Sequence, residues 1–155
     1  MRVLLANLSD AQHQAAIIAL LDMYCRDQFG DSRPLPEDVK AGLVPGLIEH
    51  GGARVFLAIE GEQPIGVAIC FVGFSTFKAR PLINIHDIAV APTFRGRGIG
   101  QALLDAALEE AHKLGCCKLT LEVRADNAVA QQAYRRAGFG PSSEPETWFW
   151  TRTLE

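Results

Sequence analysis

The spacing of apolar and polar positions divides this chain into strands and helices before any chemistry is considered. Arg2 to Leu8 suits a first strand, and Ser9 with Gln12 three residues on resembles a capping box ahead of a helical run from Ala15 to Met23. Tyr24 to Pro34 has no period and predicts a loop. Pro36-Glu37-Asp38 has the makeup of a first helical turn, and Val39, Leu43 and Leu47 recur at every fourth position. Pro45 is expected to kink or split that helix, and Gly51-Gly52 ends it. Two strand-like runs, Arg54 to Ile59 and Pro64 to Phe74, are joined by Glu60-Gly61-Glu62-Gln63, which predicts a hairpin. Ser75 to Pro81 predicts a second loop.

The stretch from Asn84 to Gln101 has the most definite pattern. The β-branched run of Ile83, Ile85, Ile88 and Val90 predicts a strand, which Ala91-Pro92 closes because proline has no donor for a sheet. Strand alternation would put Asn84, His86, Ile88 and Val90 on one face and Ile85, Asp87 and Ala89 on the other. Arg95 to Gly100 then holds three glycines and two arginines in six residues, and a helical pattern follows at Leu103, Leu104, Ala107, Leu108, Ala111 and Leu114. Gly115 fits a left-handed cap. Lys118 to Val123 alternates as a strand, Arg124 to Asn127 turns, Ala128 to Ala137 is helical with Gly138 at its end, and Trp148 to Leu154 alternates as an aromatic strand. Six or seven strands with helices in pairs predict an α/β fold (α+β by some schemes), a mixed sheet with helices on both faces.

Composition narrows the class. Of 155 residues 48% are hydrophobic and 21% charged, enough apolar material for one globular domain over residues 1–155. A net charge of −3 and a pI near 5.8 argue against a nucleic-acid partner, whose binding rests on a basic face. No apolar run approaches the ~20 residues of a membrane span. Polar residues Ser9, Asp10, Gln12 and His13 interrupt the apolar start, so a signal peptide is not expected and the cytoplasm is the default. Cys25, Cys70, Cys116 and Cys117 form no C-x-x-C pair and no zinc spacing, which predicts reduced apolar residues and no metal; nothing in the spacing favours a nucleophilic cysteine.

A strand, a glycine loop and a helix in that order leave the first helical amides without partners at the positive end of the helix dipole, where an anion binds. Glycines at 96, 98 and 100 remove the Cβ atoms that would hold a phosphate off, and Arg95 and Arg97 add charge. A P-loop would need Lys-Ser/Thr after its last glycine, where Ile99-Gly100-Gln101 stand. A dinucleotide fingerprint fails at its third position, Gln101. The pattern Arg/Gln-x-x-Gly-x-Gly/Ala is met by Arg95, Gly98 and Gly100. Downstream, Asn-x-x-Ala-x-x-x-Tyr-x-x-x-Gly-Phe is met by Asn127, Ala130, Tyr134, Gly138 and Phe139. Each also has a plainer reading: Asn127 as an N-cap, Ala130 as a helix former, Tyr134 as a half-buried aromatic, Gly138 as a C-cap.

With these two motifs the chain, over roughly Val55 to Phe139, resembles the GNAT superfamily of acyl-CoA-dependent N-acetyltransferases. The resemblance implies a single-domain fold with a mixed, mostly antiparallel sheet. It also implies that acetyl-CoA lays its pantetheine arm along Ile88, Ala89 and Val90. Its pyrophosphate would sit in the loop of Arg95, Gly96, Arg97, Gly98, Ile99, Gly100 and Gln101. In that family the central strand is bulged and splays from the next, so the Val90 amide would polarise the thioester carbonyl. Asn127 would touch the pantetheine or adenosine part with Ala130 allowing close approach, and Tyr134 would protonate the leaving thiolate. Transfer to a primary amine of a small molecule or peptide would be direct, with neither a cysteine intermediate nor a metal.

Relatives often carry a base on the central strand. Asn84 stands where several have Glu, which leaves His86 as the candidate, or a satisfied structural histidine; Asp87 is a structural or water-relay carboxylate. The loops Tyr24 to Pro34 and Ser75 to Pro81 would line the acceptor site, where Asp27 and Asp31 either attract an amine or are simply solvated. A homodimer is possible. A catalytically silent acyl-CoA-binding module, acting as sensor or partner, is the alternative; retention of Tyr134 and the intact loop favours the enzyme.

Overall fold

The computed structural model describes residues 1–141 and 150–154. Among these the order is β1 (Arg2–Leu5), α1 (Ala11–Cys25), α2 (Glu37–His50), β2 (Ala53–Glu60), β3 (Gln63–Ser75), β4 (Arg80–Val90), a 3₁₀ turn (Pro92–Phe94), α3 (Ile99–Lys113), β5 (Leu119–Leu121) and α4 (Ala128–Arg136). The strands form one sheet in the order β1-β2-β3-β4-β5. Its first three pairings are antiparallel and β4 with β5 is parallel, a step that needs the α3 crossover. The expected strand from Trp148 begins outside the described residues, and residues 150–154 carry none, so the count among the described residues is five rather than six or seven.

Alternation along β2 builds the two faces. Phe56 and Ala58 join Ile65, Cys70, Ile83 and Ile85 under α3, through Ile99, Leu103, Leu104 and Ala107. Val55, Leu57 and Ile59 join Val67, Ile69 and Ala89 under α1 and α2, through Ala16, Ile17, Leu20 and Leu47. Burying each Val, Leu, Ile or Phe among them contributes about 1.5–3 kcal/mol. Gly66 lets α3 come close: a Cβ there would meet Ile99 Cγ2 at 3.1 Å and Leu103 Cδ1 at 3.2 Å.

Three local expectations are corrected. The cap of α1 is Asp10, not Ser9: its Oδ1 accepts from the Gln12 and His13 amides at 2.8 and 3.1 Å. The helix therefore starts at Ala11 and runs through Tyr24 and Cys25, which the sequence placed in a loop. Pro45 does not split α2, which continues from Glu37 to His50. Both Pro45 and Ala41, whose carbonyl loses its bond, are exposed, so water can take that carbonyl. The β3–β4 ladder persists to Ser75 opposite Arg80, which shrinks the second predicted loop to the turn from Thr76 to Ala79.

The fourth correction shapes the site. Asp87 stands opposite Ile69 and Ile85 opposite Cys70, so His86 is an extra residue with no partner on β3, a β-bulge. Alternation resets there. Ile85 lies in the cluster under α3, and Ile88 and Val90 pack against that same cluster, while Ala89 belongs to the cluster under α1. Asn84 and His86 therefore do not share the face of Ile88 and Val90.

Candidate active site

β5 pairs with β4 only over Ile83 to Ile85, so beyond the bulge β4 has a neighbour on the β3 side alone among the described residues. Ala91 N–H donates to the Ile65 carbonyl at 2.9 Å, toward β3. Successive strand amides point in opposite directions, so the polar groups of Val90 and Ile88 face the gap between β4 and β5. Arg95 Nε, which reaches the Val90 carbonyl at 3.1 Å, marks that direction.

At the gap's end lies the glycine loop. Gly96 and Gly98 hold φ of 76° and 79°, a region where a Cβ is strained. Gly98 is the N-cap of α3, and the first helical bond runs from Ala102 N–H to its carbonyl at 3.0 Å. The amides of Ile99, Gly100 and Gln101 thus have no helical acceptor. A Cβ on Gly100 would meet nothing within 4 Å. The Ile99 side chain is buried at 2% exposure, so only its backbone faces the loop. Gln101 Nε2 donates to Asp105 at 2.8 Å. Both arginines are paired: Arg95 Nη2 with Asp27 at 2.8 Å, and Arg97 Nη2 with Glu60 at 2.8 Å, its guanidinium 5.1 Å from the Phe94 ring centre.

A cleft of about 310 Å³ is lined by Tyr24, Phe29, His86, Glu122, Val123, Arg124, Asn127, Ala130 and Tyr134. Asn127, Ala130 and Tyr134, on one face of α4 as their spacing predicts, thus meet His86. Asn127 Oδ1 also caps α4, accepting from Ala130 N–H at 3.1 Å. Tyr134 packs edge to face on Phe139 at 6.2 Å, and burial first, then the nearby Tyr24, pushes its phenol up to about 12. It therefore keeps its proton at any ordinary pH. The His86 ring lies edge-on to Phe71 at 5.5 Å. Burial raises the Asp87 carboxyl, against a smaller opposing pull from His86.

Tyr24 and Phe29 fall in the stretch the sequence expected beside the acceptor, whereas Glu122, Val123 and Arg124 were missed. Tyr24 and Phe29 approach from α1 and the segment after it, and burial raises the Tyr24 phenol as well, helped by Asp87 and Asp27. Glu122 follows the last paired residue of β5, and a carboxylate where a strand leaves its partner was the available signal. Arg124 is held by Asp126 at 3.0 and 2.8 Å, with its guanidinium 5.7 Å from the Phe29 ring centre. The hairpin turn from Thr76 to Ala79 does not line this cleft, and neither does any of the four free cysteines. Among the described residues no helix is long and apolar enough to cross a membrane, and no group of three or more His, Cys, Asp or Glu is placed to hold a metal.

The chain is similar to known proteins. The chain is 38% identical over 103 residues to an uncharacterized N-acetyltransferase of Methanocaldococcus jannaschii, covering 66% of this chain and 46% of that one. It is 38% identical over 91 residues to streptothricin acetyltransferase of Streptomyces lavendulae, covering 59% and 47%. The chain thus spans about half the length of these curated relatives. The crystal structure of an aminoglycoside acetyltransferase from an uncultured soil metagenomic sample superimposes with a TM-score of 0.81 at 19% identity, over 99% of this chain and 96% of that one, a likeness of fold. The profile of the acetyltransferase (GNAT) family matches residues 17–139, most of the chain, and on that match, together with the bulged β4 and the loop ahead of α3, the chain belongs to the GNAT acetyltransferase family.

Proposed function

We propose that this chain is a single N-acetyltransferase domain that moves an acetyl group from acetyl-CoA directly to a primary amine of a small molecule or peptide. The observation that carries the reading is the opening of β4 from β5 beyond Ile85, which turns the Val90 and Ile88 polar groups toward a gap ending at the free amides of α3. The donor's pantetheine amides match such an edge, and its diphosphate matches the amides of Ile99, Gly100 and Gln101.

The reaction forms a bond from the amine nitrogen to the acyl carbon and breaks the bond from that carbon to sulfur. The nitrogen loses a proton and the thiolate gains one. An alkylamine with a pKa near ~10.4 is protonated at pH 7, and freeing its lone pair costs roughly 4.6 kcal/mol; a thiol near ~8.5 is only about 2 kcal/mol from ionised. The amine needs the greater help. His86 and Glu122 are the cleft groups suited to take its proton, and imidazole, titrating near ~6.5 when free, is the stronger base at neutral pH. Tyr134 gives its proton to the departing sulfur. The Val90 N–H polarises the carbonyl as charge builds on its oxygen. Asn127 and Ala130 form the wall against the pantetheine.

The net charge of −3 supports work without a nucleic-acid partner, and the cytoplasm, independence of the membrane and a homodimer belong to the same proposal. The test is a screen of amines, amine-bearing antibiotics and peptides with acetyl-CoA, following free CoA. The streptothricin relative supports including such antibiotics. Amine-dependent release of CoA is expected, and binding of acetyl-CoA with no release against any amine would indicate a silent binding module.

A further inference from the structure

Arg95 joins three parts of the molecule. Its Nε donates to the Val90 carbonyl at 3.1 Å, its Nη2 reaches Asp27 Oδ2 at 2.8 Å, and its backbone opens the glycine loop. Asp27 in turn organises the segment after α1. Its Oδ1 accepts from the Phe29 N–H at 3.2 Å, its own N–H donates to the Tyr24 carbonyl at 2.9 Å, and its carbonyl accepts from Gly30 N–H at 3.0 Å. Phe29 at the end of this turn lines the cleft. The guanidinium holds the Asp27 carboxyl below its ordinary range, so this carboxylate is a charged partner.

We propose that the Arg95–Asp27 pair is a latch through which the donor loop controls the Phe29 side of the cleft. The inference rests on the reading of that loop as a diphosphate site. A diphosphate carries more charge than one carboxylate and would lie against the same loop, so it competes with Asp27 for the guanidinium. When the donor binds, Arg95 turns to the diphosphate and the turn from Asp27 to Gly30 loses its tie to the donor side. Binding at one place is then linked to the placement of Phe29 at the other, and the linkage is reciprocal. The sequence offers no hint of this, since the two residues lie 68 positions apart.

The experiment measures CoA binding by calorimetry and amide exchange over residues 26–30, in the wild type, Asp27→Asn and Asp27→Ser. Both substitutions keep an oxygen able to accept from the Phe29 N–H, so the turn survives while the charge is lost. The latch predicts CoA binding about two- to fivefold tighter in both variants, the span that a partly exposed ion pair is worth. It also predicts that CoA speeds exchange over residues 26–30 in the wild type and leaves the variants unchanged. Wild-type binding of CoA with equal or weaker binding by both variants would overturn the latch and leave the donor site standing. No CoA binding by the wild type would overturn the donor reading and the latch with it.

Discussion

Ile85 and Ile88 lie three residues apart on β4, yet both side chains pack into the cluster beneath α3. In an unbroken strand they would face opposite sides of the sheet. The inserted His86 resets the alternation and leaves Asp87 opposite Ile69, in a setting where burial raises its carboxyl above the ordinary 3.8. A carboxyl raised on folding contributes stability that is present below 3.8 and is lost as pH rises through the raised value. Asp87→Asn is therefore expected to resist urea better than the wild type at pH 7, with the advantage fading as pH falls from the raised value toward the ordinary 3.8 and gone below it. Equal urea midpoints at pH 7 would contradict this.

His86 is exposed, so His86→Ala should leave stability within about 0.5 kcal/mol. As the base, it should give the wild type a kcat/KM that rises with pH, and the substitution should abolish that limb. A limb that persists in His86→Ala and disappears in Glu122→Gln would assign the proton to the carboxylate.

Gly100 separates backbone strain from access to the loop. Valine at Gly98 would combine a blocked approach with a φ of 79°, whereas Gly100 is helical with open space where its Cβ would point. Gly100→Ala should stabilise the fold by roughly 0.5 to 1 kcal/mol. The motif itself admits Ala at this position, so the same Cβ should leave CoA binding little changed, whereas Gly98→Val should weaken it about tenfold or more by holding the diphosphate off charge-assisted bonds worth about 1.5–3 kcal/mol. Thermal unfolding and calorimetry on the two variants check both effects.

Tyr24 and Tyr134 are the chain's two tyrosines, and both phenols are raised by burial, Tyr134 to about 12. Phenolate absorbance at pH 10 should be lower in the folded protein than in urea, where it develops near pH 10, because both phenols are raised on folding. The sign for stability follows. The Tyr134 contribution is complete below the ordinary value of 10.0 and is lost as pH rises through about 12, so the fold should weaken over that interval. Half-ionised phenols in the native state at pH 10 would contradict the burial of both.

The loop and α4 were legible because their chemistry is local. Arg95, Gly98 and Gly100 fall within one turn of chain, and Asn127, Ala130 and Tyr134 repeat along one helix, so spacing alone groups them. The rest of the cleft arrives from afar. Tyr24, Phe29 and Glu122 sit on separate elements and meet only when the sheet is assembled. The resemblance implied a bulged strand but not its position, because the polar pair His86-Asp87 between Ile85 and Ile88 does not mark which residue is inserted. A one-residue displacement hid the α1 cap, since Ser9 and Asp10 are both good caps and only the amide geometry chooses Asp10.

Tyr134 bears most directly on whether this cleft performs acyl transfer. Tyr134→Phe keeps the ring against Phe139 and removes only the hydroxyl. The decisive measurement is the amine-dependent release of CoA at saturating acetyl-CoA, wild type against Tyr134→Phe, with acetyl-CoA affinity determined for both. The account predicts a kcat lower by about 10² to 10⁴ with donor affinity little changed. Equal kcat in the two proteins would show that the thiolate leaves without Tyr134 and would contradict its role as the acid.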